Sequence, residues 1–415
     1  MKFIKLILPL AFASSVFAGG YKIPEQSSDS MALAASNIAK SFGADAAYYN
    51  PANMVFLDDK SHININTFYI HLGETKFNNH SKKLGTSDTK SKDYDVVGAS
   101  TYYVSPFFAN NFRFGLSFNI PAGLAMEWDD SYPASVAEKF ELKIYELAPS
   151  LAYQVLDNLS VAAGVRVVYT DGVIKNRVNT TPYKMSREVK GDSFDFGYNL
   201  ALAYKPTKNL SLAATYRSKV DINVKGDTNL NENFLGKNFS KSIGTNISIP
   251  LPASLNLALA YEMDKVTLMF AFERTYWSSF KELDFNYNEP ILNPITKKII
   301  DDAHEKKWKD SNTYRFGMAY QASDKLRLMA GFGIDENIAA DKFTSFELPN
   351  TKAYIYSVGA NYAINSDLEV GFGYLYQDRQ KRNANVQKSN FIGNVEGEFD
   401  PGDAQLVSLS LKYKF

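Results

Sequence analysis

From Phe194 to Tyr204 the chain alternates without a break. Phe194, Phe196, Tyr198, Leu200, Leu202 and Tyr204 fall on one parity, and Asp195, Gly197, Asn199, Ala201 and Ala203 on the other. A period of two belongs to a strand, because successive side chains there point to opposite faces. The pattern recurs in Phe112-Phe114-Leu116-Phe118, in Leu255-Leu257-Leu259-Tyr261, in Tyr314-Phe316-Met318-Tyr320 and in Leu368-Val370-Phe372-Tyr374-Tyr376. One face is large and apolar; the other is small, polar or charged. A soluble sandwich buries the first. A membrane barrel turns it to lipid and gives the second to a lumen.

The connections separate these two solutions. Fourteen strand-like segments run at about 61–76, 93–107, 110–121, 139–156, 158–177, 185–206, 209–226, 243–262, 265–284, 307–321, 324–338, 348–365, 367–385 and 402–415. Short turns such as Asn110-Asn111, Asp157-Asn158, Met263-Asp264 and Asn365-Ser366 alternate with long polar loops at 77–92, 122–138, 227–242, 285–306 and 386–401. Short turns at one end and long loops at the other are the outer-membrane arrangement. The last segment alternates Val407, Leu409, Leu411, Tyr413 and Phe415 with Ser408, Ser410, Lys412 and Lys414. A terminal aromatic on an amphipathic strand is typical of barrels inserted by the outer-membrane assembly machinery, so Phe415 is the expected contact with that partner.

Residues 1–18 read as a signal peptide. Lys2 and Lys5 precede a short apolar run, and Ala18-Gly19 is the expected cleavage point. Beyond them no stretch reaches the ~20 apolar residues of a spanning helix. The expected class is therefore all-β: a 14-stranded antiparallel transmembrane β-barrel over 61–415, with a small helical N-terminal plug over 19–60. A barrel of this size leaves a lumen too wide for side chains alone to seal, and 20–57 is the spare segment to fill it. There Met31, Ala35, Ile38 and Phe42 form one apolar helical stripe, with Ser28, Asp29 and Ser30 as candidate caps. In Asn50-Pro51-Ala52, proline suits a first helical position and Asn50 can cap it. Read alone, those three residues also fit an ordinary turn.

Lys+Arg and Asp+Glu balance at 45 each, which leaves no basic footprint for nucleic acid. Cysteine is absent, so disulfides and thiolate metal sites are out. His62, His71, His80 and His304 are scattered without metal-ligand spacing, and no catalytic constellation or phosphate loop is present. Neither a metal nor a cofactor nor an enzymatic activity is expected.

The motifs in order resemble those of the FadL/TodX family of outer-membrane transporters of hydrophobic compounds. They are Gly20-Tyr21-Lys22-Ile23 through Asn50-Pro51-Ala52; Gly123-Leu124-Ala125-Met126-Glu127; Pro252-Ala253-Ser254-Leu255; Tyr276-Trp277-Ser278-Ser279-Phe280; and Lys309 to Arg315. The resemblance implies a hatch inside the barrel. It implies passive uptake of hydrophobic molecules, long-chain fatty acids first and aromatic hydrocarbons as the alternative. It also implies lateral exit at a kink in the third strand. That strand is Asn110 to Pro121 here, with Gly115, Asn119 and Pro121 as candidates for the opening. Pro121 either breaks the ladder or simply ends the strand. Where fatty-acid transporters can carry a basic residue in the fifth strand, this chain has Thr170-Asp171-Gly172. Arg166, Arg315 and Arg327 face inward by alternation. They either meet a ligand carboxylate or pair with lumen acids such as Glu262 or Glu273. The expected partners are a hydrophobic substrate, outer-membrane lipid and lipopolysaccharide, around a monomer. A barrel serving mainly as an adhesin or structural surface protein is the alternative from another class.

Overall fold

The computed structural model describes residues 20–81, 87–301, 304–389 and 393–415; the expected signal peptide, 1–18, lies outside the described residues. Fourteen antiparallel strands close into a barrel. The first six are His62–Leu72, Tyr94–Val104, Phe112–Glu127, Lys139–Leu156, Leu159–Asn179 and Tyr183–Tyr204. The next three come in two pieces each: Leu210–Arg217 with Val220–Phe234, Lys237–Leu251 with Ser254–Met263, and Val266–Thr275 with Phe285–Tyr287. The last five are Ser311–Gln321, Leu326–Asp335, Ala353–Ala363, Leu368–Arg379 and Ala404–Lys414. The first strand pairs with the last, from His62 opposite Lys414 to Leu72 opposite Ala404, so the sheet closes on itself.

Alternation sorts the faces. Phe196 is 68% exposed on the outside, while Asn199, Ala201 and Ala203 of the same strand are buried inside. An exterior carrying Phe194, Leu257, Phe316, Tyr356 and Leu409 in the open is an apolar belt that water would not tolerate at this extent.

Two expected boundaries shift. The third strand does not end at Pro121 but runs on to Glu127. Residues 227–242, expected as a long loop, belong to a hairpin that turns at Leu235 and Gly236, both at positive φ. Above the step at Ser218-Lys219, which lies between the two pieces, the parity of the seventh strand flips. Ser211, Ala213 and Thr215 face in below it; Val220, Ile222 and Val224 face in above it. The upper wall therefore has the soluble pattern, apolar inside and polar outside. Its polar outer residues are what made the segment read as a loop.

The apolar inner faces of that upper wall join loop residues in one large core that includes Leu124, Phe140, Leu142, Val220, Ile249, Trp277 and Trp308. At the same end, Lys76–Asn79, Thr89–Lys90, Arg382–Ser389 and Gly393–Asp400 form a separate four-stranded sheet. It contributes Phe77 and Phe399, whose rings lie 4.7 Å apart; Phe346 lies 5.1 Å from Phe77 and 5.2 Å from Trp128.

The N-terminal segment crosses the lumen below this core. A short helix, Ser28–Ala32, packs against the eleventh to fourteenth strands, and a 3-10 turn, Pro51–Phe56, against the third to sixth. The expected single helical stripe is not formed. The helix is five residues long, capped by Ser27 rather than Ser28, Asp29 or Ser30. It stops where Ala34 and Ala35 take positive φ. Ala34 N–H reaches Met31 O (3.4 Å) and Ala35 N–H reaches Ser30 O (2.7 Å), which is a Schellman closure with alanine in the glycine position. Met31, Ala35 and Ile38 are all buried, but by wall on every side, so no continuous helix is needed to hide them.

Candidate functional site

The wall is interrupted beside the third strand. This strand pairs with the second only from Gly115 to Phe118, against Val104 to Thr101. Beyond Phe118 the second strand keeps its ladder to the first alone. Against the fourth strand the register slips by one between Asn119 and Ala122, and Pro121, lacking an N–H, sits in the slip. The start of the chain takes over the vacated edge. Lys22 bridges Ala122, Ile23 N–H donates to Pro121 O (2.9 Å), and Gly123 N–H donates to Tyr21 O (2.8 Å). Gln26 completes it. Its Oε1 accepts Ile120 N–H (3.0 Å) and its Nε2 donates to Ile120 O (2.9 Å), so one amide side chain satisfies both main-chain groups of Ile120. Ser100 of the second strand donates to Gln26 O at 2.5 Å. Asn119 is fully buried at this point, and neither of its amide atoms has a partner among the described residues. Gly115, by contrast, keeps ladder partners on both sides. Its missing side chain makes room for the plug: a Cβ there would stand 2.4 Å from Met54 Sδ.

Asn50 caps the 3-10 turn as its chemistry suggests, accepting Ala52 N–H at 3.1 Å, with Pro51 in the first position. Its Nδ2 also donates to Ile38 O (3.0 Å) and to Leu202 O of the sixth strand (3.4 Å), which ties the turn to the wall. Ala52 is buried in the cluster with Ala47, Met54 and Tyr102. Nearby, Asp45 is wholly enclosed and accepts from Ser27 Oγ at 2.7 Å. Burial, reinforced by the Asp29 carboxylate, pushes its pKa up to about 6.

Each of the three arginines already has a protein partner. Arg166 holds Glu146 (2.7 Å) and Ser218 O (2.6 Å). Arg315 holds Glu25 of the N-terminal segment (3.0 Å), with Glu273 at 3.6 Å. Arg327 lies 3.9 Å from Glu369 and stacks on Phe42 at 4.3 Å. Glu262 pairs with Lys40 instead. Arg166 and Arg315 share a cavity of about 60 Å³ with Tyr48, Tyr49 and Pro121. Arg327 lines a separate chamber of about 830 Å³ at the short-turn end, with Phe42, Phe56 and Lys412.

A cation that sequence reasoning missed stands at the long-loop end. Lys306 is 4% exposed, donates to Ser345 Oγ (3.2 Å) and pairs with Glu347, which is itself buried. On one side it faces a polar cavity of about 260 Å³ with His304 and Lys342. On the other it borders a nearly closed apolar space of about 20 Å³ lined by Tyr21, Leu124, Phe140, Ile249, Phe280 and Trp308. Tyr21 and Leu124 flank the point where the chain start joins the third strand. The sequence carried no pattern for this lysine, which falls at the end of the expected loop 285–306.

A closed wall with an apolar exterior defines an outer-membrane β-barrel, and here the N-terminal segment packs against its inner face. Residues 10–415 match the family described as outer membrane protein transport protein (OMPP1/FadL/TodX), and the chain belongs to that family. It is 26% identical to outer membrane protein P1 of Haemophilus influenzae, over 98% of each chain. It is also 26% identical to a long-chain fatty acid transport protein of Escherichia coli, over 100% of this chain and 99% of the other. Among solved structures, a Pseudomonas aeruginosa FadL homologue superposes with a TM-score of 0.84 at 20% identity, covering 95% of this chain and 100% of that one. The P. putida toluene transporter TodX superposes at 0.70 with 17% identity, covering 95% and 99%. The protein is thus an outer-membrane barrel of a transport family, not of a family of enzymes.

Proposed function

We propose that this barrel carries hydrophobic small molecules, long-chain fatty acids foremost, passively across the outer membrane. The observation that carries the reading is the amphipathic slot at the long-loop end. Its walls of Tyr21, Leu124, Phe140 and Trp308 are apolar and would take an alkyl chain once the space, about 20 Å³ here, widens with the hatch, and Lys306 beside them suits a carboxylate. Glu347 holds on Lys306 the position such a carboxylate would take, as Glu146 does on Arg166 and Glu25 on Arg315. The slot ends on Tyr21 and Leu124, beside the interrupted ladder, so the route continues sideways between the second and third strands. The segment 20–57 acts as the hatch, and movement of its first residues opens the gap. The fatty-acid reading is favoured over an aromatic hydrocarbon because a buried, paired ammonium has no use for an uncharged ring. The E. coli relative's name points the same way.

The test is a titration of purified barrel in detergent with a fluorescent fatty acid and, separately, with toluene. Saturable fatty-acid binding is expected, weakened about tenfold by Lys306→Gln, the loss of one charge-assisted contact. If neither ligand shows saturable exchange, the transport reading fails; if toluene alone binds, the substrate class is the aromatic one.

A further inference from the structure

The two ends of the plug are held in chemically different ways. Its first half is fastened by side-chain ion pairs, Lys22 to Glu273, Glu25 to Arg315, and Asp29 to Lys412 Nζ at 2.7 Å, with Asn361 Nδ2 on the same Asp29 at 2.8 Å, beside the short seam that Tyr21, Ile23 and Gln26 make with the third strand. Its last residues carry two exposed ion pairs, Asp58 to Lys414 and Lys60 to Asp367, and converge on one buried arginine. Arg113, on the inner face of the third strand, is completely buried. Its Nε donates to Ser105 O (2.7 Å). Its two terminal nitrogens donate to Met54 O (2.8 Å), Leu57 O (3.0 Å), Asp58 O (3.2 Å) and Lys60 O (2.7 Å). The Phe107 ring packs 5.1 Å from the guanidinium. Every acceptor is a main-chain carbonyl, and four of them belong to the end of the 3-10 turn and the run out of it; Met54 O also accepts Leu57 N–H and Asp58 O also accepts Lys60 N–H. From there the chain enters the wall, with Ser61 and Phe415 exchanging hydrogen bonds of 2.9 and 3.0 Å.

We infer that Arg113 is the positioning residue of the gate: it makes residues 51–60 a fixed pivot, so the plug opens from its first half and stays hung from the third strand. The difference lies in exchangeability. A passing carboxylate can replace Glu25, Asp29 or Glu273 on its cation, and the swap is nearly neutral because one charge-assisted bond replaces another. No substrate group can replace five carbonyls converging on one planar fork, and carbonyls do not titrate. Gly115, two residues on, lets Met54 sit against the same strand. The strand that carries the lateral interruption thus also carries the anchor. The inference rests on the uptake reading for what opens the gate, but not for which end is fixed.

Hydrogen exchange on the wild-type barrel, followed by mass spectrometry, tests it without any variant. Peptides covering 51–60 are expected to exchange at least about tenfold more slowly than those covering 22–36. Added oleate is expected to accelerate 22–36 and leave 51–60 unchanged. In Arg113→Ala, 51–60 should exchange as fast as 22–36, with the first half unaltered; Arg113→Lys, which keeps the charge but not the fork, should lie between. A merely structural arginine would speed both halves together. Equal exchange of the two halves in the wild type, or unaltered protection of 51–60 in Arg113→Ala, would overturn the pivot. Slow 51–60 with no response to oleate leaves the pivot standing and counts against fatty-acid uptake. If Arg113→Ala does not assemble, the wild-type comparison decides alone.

Discussion

At the scale of single residues, the plug interior is governed by which charges have partners. Asp29 has a lysine and an amide, but Asp45 has only hydroxyl and amide donors, and its Oδ1 has no partner among the described residues. The proton is therefore favoured in the folded state, at about 6 against an ordinary 3.8. A carboxyl raised on folding contributes most below its unfolded pKa, and the contribution is lost as pH rises through the folded value. Between pH 4 and 7 the plug should lose up to about 3 kcal/mol from this group, set by roughly two pKa units. Its other charged neighbours, Asp29 and Lys412, stay paired across that window. The check is unfolding of the plug at pH 5 and pH 8, for the wild type and Asp45→Asn. The variant should remove most of the pH difference; an unchanged difference would place it in another carboxylate.

At the scale of elements, the opening segment behaves as a strand borrowed by the wall. Tyr21 to Ile23 occupies the edge that the second strand leaves free, and Lys22 faces Ala122 in a non-hydrogen-bonded antiparallel pair. Such pairs bring Cα atoms to about 4.5 Å, within disulfide range. The chain has no cysteine of its own, so Lys22→Cys with Ala122→Cys should form one defined cross-link. Oxidised, it should abolish uptake of a labelled fatty acid by cells, and reductant should restore it, with each single variant as control. Uptake that persists in the oxidised protein would mean that this seam does not open. The flipped parity of the seventh and eighth strands belongs to the same scale. Ser218-Lys219 and Pro252-Ala253 each add a step outside the ladder, and above them the strands change from lipid-facing to core-enclosing. That reversal is already present in Val220-Asp221-Ile222-Asn223-Val224, inside the expected strand 209–226; only 227–242 reads as loop, because its outward residues are polar.

At the scale of the whole molecule, the barrel is divided into layers: an apolar upper core, a plug seated on polar and charged wall residues, and an open chamber at the short-turn end. The chamber does not continue upward, because Phe42, Phe56 and Leu57 form part of its lining where the plug begins. In planar bilayers the wild-type protein should therefore show no steady conductance of the kind a water-filled barrel gives. A sustained open-pore current would mean that the plug is not seated in the resting state.

The sequence by itself determined the class: strand count, direction of the outer face and the Asn50 cap. Each of these follows from local rules, the pleat's period of two and the geometry of one turn, which act between neighbours in the chain. What only the tertiary structure decided lies between residues far apart. Alternation could turn Arg166, Arg315 and Arg327 inward but could not say that Glu146, Glu25 and Glu369 wait there. Pro121 announced a disturbed ladder, but whether the strand ended or continued depended on the edge offered by Tyr21 to Gln26, about a hundred residues earlier in the chain. Arg113 read as one more inward polar residue, and Lys306 as part of a loop. Closing the wall brings these groups within hydrogen-bond reach, and enclosure then makes leaving them unpaired costly.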